Sequence, residues 1–370
     1  MNVLVTGSSG FIAKNLIVNL NEIYKDINIF KFDIKNTREE LEDYISKSDY
    51  IFHLAGVNRP IKDEEFYTGN SGLTKLVCDF VEKNNKNIPI VISSSIQSES
   101  DNNYGKSKKL AEDYLFDYSK RTGNTINVYR LPNVFGKWCR PNYNSAVTTF
   151  CHNVAHDLPI IVNDRNYIMQ LVYIDDVISE FIKVFSNNEN RVTKFCEVPI
   201  TYKLSLGEIA DLILSFRDTR INRMVPNVGD SFAKKLYSTY LSYINIKEFS
   251  YDLKMNVDNR GSFTEFLKIN NGGQVSVNIS KPGITKGNHW HNTKNEKFLV
   301  VVGEGIIRFR NILSNEEIEY FVSGCKLQVV DIPVGYTHNI ENLGNNDMVT
   351  IMWANEIFDP ANPDTFYEVV

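Results

Sequence analysis

The chain begins Met1-Asn2-Val3-Leu4-Val5-Thr6-Gly7-Ser8-Ser9-Gly10-Phe11-Ile12-Ala13, which is an apolar segment followed by a glycine turn and an amphipathic segment. This order predicts a strand, a tight turn and a helix, the opening of a dinucleotide-binding βαβ unit. Gly7 and Gly10 permit the turn and the close approach of a pyrophosphate, and Ala13 permits close packing of the helix. The spacing is G-x-x-G-x-x-A, so the turn alone is a weak signal and the following residues have to support it.

Short apolar segments alternate with helix-like segments through the N-terminal part of the chain. The predicted strands are residues 3–5, 29–32, 50–54, 90–92 and 127–129, and the predicted helices are residues 14–20, 38–45, 72–83 and 107–118. This alternation predicts an α/β fold with a Rossmann-type, doubly wound parallel sheet. The pattern loosens over residues 132–244, where helices are expected at 175–185 and 205–216, and this stretch is interpreted as a substrate-binding subdomain.

The residue pattern changes near residues 243–250: beyond them, short apolar segments are separated by turns. Strands are predicted at residues 274–280, 298–302, 305–310, 317–322, 327–332 and 348–353. Such regular spacing predicts an all-β barrel or sandwich. We therefore expect two domains, residues 1–245 and residues 246–370.

Length and composition agree with two domains and narrow the class of partner. A chain of 370 residues exceeds the usual size of one hydrophobic core. The net charge is −5 with both signs interspersed, which predicts neither nucleic-acid binding nor attachment to a membrane surface. Because no apolar run could span a bilayer or serve as a signal peptide, and the five cysteines show no C-x-x-C spacing, we expect a cytoplasmic enzyme with a small-molecule substrate.

A serine-rich strand end is followed by a tyrosine and a lysine four residues apart. Ser93-Ser94-Ser95 follows the strand at 90–92, and Tyr104 and Lys108 come shortly after it. Residues four apart lie on one face of a helix, so the ammonium group can sit beside the phenol and favour its phenolate. A tyrosine with a lowered pKa suits proton exchange with a carbonyl or alcohol oxygen.

Other residues at strand ends point to a nicotinamide dinucleotide. Asp33 ends the second strand, where a carboxylate can accept hydrogen bonds from the adenosine ribose of NAD, whereas Lys35 can instead pair with the 2′-phosphate of NADP. The choice between NAD and NADP stays open on these residues. The predicted cofactor-binding residues are Gly7, Gly10, Phe11, Ile12, Asp33, Lys35, Leu54, Ala55, Gly56, Tyr104 and Lys108.

Half of the six histidines lie close together near the C-terminus. His289 and His291 are two residues apart, so on a strand they project from the same face, and Glu296 and His338 follow. Three imidazoles and one carboxylate predict a divalent metal site for Zn²⁺, Mn²⁺, Fe²⁺ or Ni²⁺.

The N-terminal motifs resemble the extended short-chain dehydrogenase/reductase family, in particular its nucleotide-sugar members. The matching segments over about residues 1–240 are Thr6-Gly7-x-x-Gly10, His53-Leu54-Ala55-Gly56, Asn70, Tyr104-x-x-x-Lys108, Arg130-Leu131-Pro132-Asn133-Val134-Phe135-Gly136 and Tyr173-Ile174-Asp175-Asp176-Val177. The resemblance implies that Ser95 binds the substrate oxygen, Tyr104 donates the proton and Lys108 binds the nicotinamide ribose. Asn133 is expected to contact the substrate. Ala13 in place of a third glycine and a short segment between Ser95 and Tyr104 depart from the family pattern.

The C-terminal part resembles the cupin family. Its two-part signature is matched by G-x-H-x-H-x4-E-x6-G from Gly287 and by P-x-G-x2-H-x3-N ending at Asn342. The resemblance implies that His289, His291, Glu296 and His338 hold a metal inside a small β-barrel. Residues 258–265 also resemble the entry motif of deoxysugar-nucleotide 3,5-epimerases, which implies that Arg260 contacts the substrate diphosphate; a structural salt bridge is the alternative for Arg260. Those epimerases generally act without a metal, so the combination is unusual.

The two halves together suggest successive reactions at one ketone. An epimerase removes a proton next to a ketone, and a reductase consumes that ketone, so epimerisation has to come first. The alternative is a reductase whose barrel only binds substrate and mediates dimerisation. Candidates for the base that removes the proton are Lys281, Asp331 and Tyr336.

Both halves also resemble bifunctional enzymes of capsular-polysaccharide and O-antigen synthesis, with landmarks at residues 138–145, 236–240 and 281–291. That resemblance implies a UDP-linked 4-keto-6-deoxy-N-acetylhexosamine, which is epimerised at C3 and reduced at C4 to UDP-N-acetyl-6-deoxy-L-talosamine on the route to UDP-N-acetyl-L-fucosamine. It further implies NADPH, one zinc ion and a homodimer. Asp33 is the mismatch with NADPH, because its charge would oppose a 2′-phosphate.

Overall fold

The computed structural model describes residues 1–186 and 194–370. Contacts divide the chain into two compact units: residues 1–214 with 235–245 form the first, and residues 215–234 with 246–370 form the second. The assignment of separate functions to residues 1–245 and 246–370 stays a prediction.

The first unit is built on a five-stranded parallel sheet with the strand order β2-β1-β3-β4-β5. Its strands are β1 (Asn2–Thr6), β2 (Asn28–Phe32), β3 (Tyr50–His53), β4 (Ile90–Ser95) and β5 (Ile126–Leu131), and the helices between and after them are α1 (Phe11–Ile23), α2 (Arg38–Lys47), α3 (Glu64–Phe66), α4 (Leu73–Lys83) and α5 (Asn103–Thr122). Except for the edge strand β2, the strands are buried along most of their length, as expected where helices cover a parallel sheet on both sides. The predicted Rossmann-type fold is confirmed.

The strand order places a ligand crevice at the edge where β1 and β3 end. β1 lies between β2 and β3 and is parallel to both. The chain passes from β1 to β2 on one side of β1, and then to β3 on the other side. Ligands of doubly wound sheets bind at such a switch point, outside the carboxyl ends of the strands. Gly7 has a φ of +64°, and a Cβ there would lie 2.7 Å from the Cα of Ala55, so the two chain segments approach too closely for a larger residue.

A smaller sheet with the order β6-β7-β8 follows in the region predicted as a substrate subdomain. The elements from this region to the start of the second sheet system are β6 (Asn133–Phe135), α6 (Ala146–Ala155), β7 (Ile168–Tyr173), α7 (Ile174–Phe185), β8 (Tyr202–Ser205), α8 (Leu206–Asn222), β9 (Met224–Val225) and α9 (Ser231–Leu241). The predicted helix at 205–216 continues to Asn222.

The second unit consists mainly of two antiparallel sheets that share one apolar core. One sheet has the order β10-β11-β12-β19-β14-β17 and the other β16-β15-β18-β13-β20. Their strands are β10 (Asn256–Asp258), β11 (Gly261–Ile269), β12 (Gly273–Ser280), β13 (Thr285–Trp290), β14 (Glu296–Val302), β15 (Glu304–Asn311), β16 (Glu317–Ser323), β17 (Val329–Ile332), β18 (Tyr336–Asn342), β19 (Met348–Ala354) and β20 (Phe366–Tyr367). Phe298 and Val300 from the first sheet pack with Ile307, Phe309 and Ile340 from the second. The predicted β-rich second part is confirmed.

No helix within residues 1–186 and 194–370 is long and apolar enough to cross a membrane. Helix α5 has 20 residues but carries several lysines and acidic residues. All five cysteines are free thiols, and Cys325 is exposed.

Candidate active and metal sites

The glycine turn after β1 is braced by Asp33. The Asp33 carboxylate accepts hydrogen bonds from the Ser9 amide at 2.6 Å and from the Ser8 hydroxyl at 3.5 Å. Burial acts to raise the pKa of this carboxyl group, but the hydrogen bonds from Ser9 and neighbouring groups outweigh it, and the pKa is lowered. The predicted ribose ligand is therefore already engaged by the turn, while Lys35 is exposed.

The turn leads directly into the N-terminus of α1, where Phe11 and Ile12 are half-buried. Gly10 caps the helix without a side-chain hydrogen bond, and its own amide donates to the Gly7 carbonyl at 2.8 Å. The first amides of a helix lack intrahelical acceptors and favour an anion. This end of α1 therefore suits a pyrophosphate.

His53 fixes the small-residue loop after β3 through a chain of hydrogen bonds. Ala55 donates its amide to the Thr6 hydroxyl at 3.2 Å, and that hydroxyl donates to Nδ1 of His53 at 2.8 Å. Because the Thr74 hydroxyl donates to the Asn70 carbonyl, it accepts from Nε2 of His53 at 2.9 Å, which sets the tautomer. Burial, with the charge of Lys108, lowers the pKa of His53 to about 3. The neutral imidazole is thus structural, a role that the sequence motif did not indicate.

Asn70 connects this loop with helix α5 from within a π-helical turn (Tyr67–Gly72). Its Oδ1 accepts from the Val57 amide at 2.9 Å, and its Nδ2 donates to the Val57 carbonyl at 3.2 Å and to the Ser107 hydroxyl at 2.9 Å. A Cβ at Gly56 would lie 3.1 Å from both Asn70 Oδ1 and Lys108 Nζ. The predicted cofactor loop and the predicted catalytic helix are therefore in contact.

The structure brings the predicted catalytic residues to the same strand end. Ser95 closes β4 and its side chain hydrogen-bonds Tyr104, which lies in the first turn of α5 and packs edge-on against Phe66 at 5.8 Å between ring centroids. Lys108, one turn further along α5, is buried and donates to the Ser93 carbonyl at 3.2 Å. Their catalytic roles stay predictions.

The pKa of Tyr104 is shifted in the opposite direction to the one expected from the sequence. Burial raises the pKa of Tyr104, with the hydrogen bond to Ser95 acting against it, so the expected lowering is not found. The physical reason is that Lys108 directs its amine to the Ser93 carbonyl, so its charge does not offset the burial of the Tyr104 phenol. Burial also lowers the pKa of Lys108 to about 8, although Glu112 raises it.

A buried ion pair holds the serine-rich strand end against α5. Glu112 is fully buried and accepts from the Ser94 hydroxyl at 2.6 Å and from Nη2 of Arg130 at 2.7 Å. The Arg130 guanidinium also lies over the Phe195 ring at 3.8 Å. Because removing one partner of a buried pair leaves an uncompensated charge, this pair fixes the strand end that carries Ser95.

The two predicted substrate residues are held by other parts of the fold. Asn133, in β6, donates its amide to the Gln170 carbonyl at 3.2 Å. Arg260 is exposed and donates to Asp258 through Nε at 3.0 Å and Nη2 at 2.7 Å. Contacts of either residue with a substrate stay predictions.

The four predicted metal ligands come together in the second unit. His289 on β13 pairs with His338 on β18, Glu296 begins β14, and His291 follows the end of β13. One donor atom from each residue lies within 4.8 Å of those of the others. A β-bulge between Gly287 and His289 redirects the strand at this point.

The donor atoms of this cluster fit a divalent cation. Nδ1 of His291 donates a hydrogen bond to the backbone carbonyl of Asp364. Because Nδ1 therefore carries the proton, the lone pair of Nε2 is free and faces the cluster. His291 Nε2, Glu296 Oε2 and both ring nitrogens of His338 are buried without a hydrogen-bond partner in the described parts of the chain. Glu296 Oε2 lies 3.5 Å from His291 Nε2 and 3.3 Å from His338 Nε2, which is ion-pair range without hydrogen-bond geometry.

The pKa shifts of His289 and Glu296 also fit a divalent cation. Burial and the neighbouring His338 lower the pKa of His289 to about 4, so its imidazole is neutral near pH 7. The pKa of Glu296 is lowered by its contacts with His291 and His338, although burial acts to raise it. Neutral imidazoles and one carboxylate are the ligand form that zinc requires.

Asp364 supports the cluster from the C-terminal segment, which sequence analysis missed. Its carboxylate accepts hydrogen bonds from the amides of Asn292 at 3.0 Å, Thr293 at 2.7 Å and Lys294 at 3.0 Å. These three residues directly follow His291, which the Asp364 carbonyl also contacts. Only the fold brings Asp364 to this loop from about 70 residues away, so no local sequence pattern could reveal it.

The fold and the two sites define a dinucleotide-binding α/β enzyme class carrying an added β-sheet unit with a candidate metal centre. Residues 3–195 match the model of the NAD dependent epimerase/dehydratase family, and residues 256–366 match the polysaccharide biosynthesis C-terminal domain. The chain belongs to the NAD dependent epimerase/dehydratase family.

Similar proteins extend over the whole chain. UDP-2-acetamido-2,6-beta-L-arabino-hexul-4-ose reductase of Pseudomonas aeruginosa is 45% identical over 366 residues, which are 99% of this chain and 98% of that protein. The capsular polysaccharide assembling protein CapF from Staphylococcus aureus is 54% identical, with a TM-score of 0.94 and 100% of both chains covered. The resemblance to capsular-polysaccharide enzymes is thereby confirmed. UDP-glucuronic acid 4-epimerase from Bacillus cereus, solved with NAD, shares the fold at 16% identity and a TM-score of 0.55 over 66% of this chain and 96% of that one.

Proposed function

We propose that the protein is a bifunctional nucleotide-sugar enzyme. The second unit epimerises a UDP-2-acetamido-2,6-dideoxy-4-hexulose at C3, and the first unit then reduces its C4 ketone with NADPH. The product is UDP-N-acetyl-6-deoxy-L-talosamine, on the route to UDP-N-acetyl-L-fucosamine for capsule or O-antigen. The observation that carries the reductase is the grouping of Ser95, Tyr104 and Lys108 beside the glycine turn, in a chain 45% identical to a UDP-sugar 4-ketone reductase.

The state of Tyr104 suits reduction of a ketone. A reductase has to deliver a proton to the ketone oxygen while the nicotinamide delivers hydride to the carbon. Because burial raises the pKa of Tyr104, the phenol holds its proton until the oxygen becomes basic. Ser95, hydrogen-bonded to Tyr104, positions the same oxygen, and Lys108 binds the nicotinamide ribose.

The order of the two reactions follows from the chemistry of the ketone. The proton at C3 is acidic only while C4 is a ketone, so inversion precedes reduction. The relative from Pseudomonas aeruginosa is named for an L-arabino ketone, and an L-talosamine differs from it in configuration at C3. His289, His291, Glu296 and His338 would hold the zinc ion, which when bound polarises a carbonyl as a Lewis acid.

Asp33 is compatible with NADPH in this fold. Its carboxylate is occupied by the Ser8 and Ser9 donors, so its charge is partly compensated where an adenosine ribose would lie. Lys35 is exposed two residues further on and can approach a 2′-phosphate. We infer NADPH as cofactor, a homodimer as assembly and the cytoplasm as location, all in keeping with the capsule-enzyme resemblance.

A crossed pair of variants tests the two activities separately. The ketone substrate is incubated in D2O without nicotinamide, and deuterium at C3 is followed by NMR; reduction is then measured with NADPH on the C3-inverted ketone. His289→Ala should lose the exchange and keep the reduction. Tyr104→Phe should keep the exchange and lose roughly 10²- to 10⁴-fold in reduction.

The alternative is a reductase whose second unit only binds substrate and mediates dimerisation. It predicts no exchange at C3 by the wild type, or exchange that His289→Ala leaves unchanged. Either result would exclude the epimerase, and the reduction assay would still report on the first unit.

A further inference from the structure

A lysine on β13 faces the interior that holds the histidine cluster. Lys286 pairs with Ile340 of β18, and His289 pairs with His338 of the same strand. Directly opposed residues of an antiparallel pair project from the same face, and residues two apart on one strand share a face. Ile340 and His338 are both buried and lie two positions apart on β18. Lys286, which is opposite Ile340, therefore points into the same interior as the cluster.

The amine of Lys286 reaches across this interior to the facing sheet. Its Nζ donates to Oδ1 of Asn278 and to the carbonyl of Ile279 on β12, each at 2.8 Å. Both acceptors are neutral, whereas buried lysines are usually paired with carboxylates. The charged groups that act on it are Asp258 and Arg260, which have opposite signs. Lys286 is thus a half-buried lysine whose amine has no carboxylate among its hydrogen-bond acceptors.

Two hydroxyl groups next to Asn278 have no partner among the described residues. The Oγ of Ser276, two residues from Asn278, and the Oγ1 of Thr350, directly opposite Asn278, are buried and unpaired. Ser276 is 2% exposed and Thr350 is fully buried. A buried hydroxyl without a hydrogen bond costs on the order of 1–3 kcal/mol, so a polar molecule that reached these two hydroxyls would supply the missing bonds.

The bases suggested by the sequence are placed less well. Lys281 is half exposed and forms a salt bridge with Asp347 at 2.8 Å, and Asp331 is exposed and paired with Lys297. Tyr336 faces the interior, but its ring packs edge-on near Phe309. Lys286 donates to acceptors on the facing sheet, whereas Lys294, which is also largely buried, is paired with Glu296 at 3.3 Å.

We propose that Lys286 is the base that takes the C3 proton of the sugar in the second unit, with Asn278 and the Ile279 carbonyl orienting its amine and Ser276 and Thr350 binding the sugar. This inference rests on the proposed epimerase. Burial lowers the pKa of Lys286, which increases the neutral fraction.

The proton and electron balance is complete without a further reactant. The neutral amine takes the proton from C3, and the C–H electron pair moves into the C3–C4 bond, leaving negative charge on the C4 oxygen. Water then gives a proton to the opposite face of C3 as the carbonyl reforms. The resulting hydroxide is neutralised by the Lys286 ammonium, which restores the amine.

The test is deuterium incorporation at C3 in D2O, without nicotinamide, by the zinc-loaded full chain. Lys286→Met should lower the exchange rate about 10²- to 10⁴-fold. Lys326→Met, which changes an exposed lysine of the same unit, is the matched control and should exchange like the wild type. Zinc content and NADPH-dependent reduction of the C3-inverted ketone are measured on each variant to show that both units are folded. Exchange by Lys286→Met within threefold of the wild type would overturn the assignment.

A chemical rescue keeps the assignment testable if Lys286→Met does not fold. Lys286→Cys is prepared with Cys325→Ser, because Cys325 is the exposed thiol, and is then aminoethylated to restore an amine at position 286. Recovery of at least tenfold in exchange supports the assignment, and equal exchange before and after aminoethylation contradicts it. No exchange by the wild type would instead refute the epimerase itself, so the two failures are distinguishable.

Discussion

The pKa of one buried lysine, Lys108, bears on the pH dependence expected of the first unit. The pKa of Lys108 is lowered from 10.5 to about 8, chiefly because burial penalises the charged amine. Below about pH 8 the amine is therefore a cation, and above it the charge is lost. The proposed ribose-binding role depends on that charge.

We therefore expect kcat/KM for ketone reduction to fall above about pH 8, by tenfold per pH unit at the limit. Arginine stays protonated, so Lys108→Arg should move this alkaline limb to higher pH even if activity at pH 7 is lower. The measurement is the pH profile of NADPH oxidation for both enzymes. An unchanged limb in Lys108→Arg would show that another group titrates.

The Asp364 side chain is expected to strengthen zinc binding. Its carboxylate accepts three backbone amides of the loop after His291, so Asp364→Asn should loosen that loop and weaken zinc binding about 10- to 100-fold. Asp359→Asn is the matched control, because the Asp359 carboxylate accepts hydrogen bonds from nearby Ala361 and Asn362 in the same exposed segment. Competition with a chromophoric chelator measures the affinity without any assay of activity. Equal affinities for the two variants would remove Asp364 from the support of the site.

At the scale of elements, the start of α5 decides where Tyr104 lies. A Cβ at Gly105 would lie 2.3 Å from the Gln97 carbonyl oxygen and 2.5 Å from that of Ser100. Both are backbone atoms of the turn after β4, so they cannot move aside as a flexible side chain would. The helix can therefore begin against this turn only with glycine at position 105.

We expect Gly105→Ala to shift the first turn of α5 and to cost roughly 1–3 kcal/mol in the free energy of unfolding. Reduction should fall at least tenfold, because Tyr104 precedes the shifted residue. Gly123→Asn is the control: Gly123 ends the same helix at a φ of +78° with nothing near its Cβ, and asparagine tolerates that conformation. Thermal melting and NADPH oxidation check both variants, and a Gly105→Ala enzyme with wild-type activity would contradict the expectation.

Most elements were predictable because their residues show a local period. The strands of the parallel sheet contain short apolar runs, and most strands of the second unit alternate between apolar and polar residues. Strand β11 was missed because a bulge between Glu265 and Leu267 interrupts its alternation. The π-helical turn that carries Asn70 was also missed, since its backbone geometry depends on contacts with Val57 and Ser107.

At the scale of the whole molecule, each ligand should stabilise its own unit. We expect NADPH to slow amide hydrogen exchange around the glycine turn and the loop at residues 53–57, and zinc to slow it around residues 285–296 and 336–342. A ligand at a hundred times its Kd adds about 2.7 kcal/mol to the unit that binds it. Hydrogen exchange followed by mass spectrometry on the apo, NADPH-bound and zinc-bound chain measures this. Zinc protection at the glycine turn instead of the histidine cluster would refute the assignment of the metal to the second unit.

The sequence by itself determined the two fold types and the chemical groups of the two sites. Hydrophobic periodicity, glycine spacing and the histidine pattern are local properties, so Gly7, Tyr104, Lys108 and the His289 cluster could be identified without coordinates. Only the tertiary structure decided which distant groups surround them, because burial and partners are set by segments far apart in the chain. It assigned Asp33 to the glycine turn, raised the pKa of Tyr104 and brought Asp364 to His291. It also placed the Lys286 side chain on the inner side of the sheet, because the register between β13 and β18 decides which face that side chain occupies.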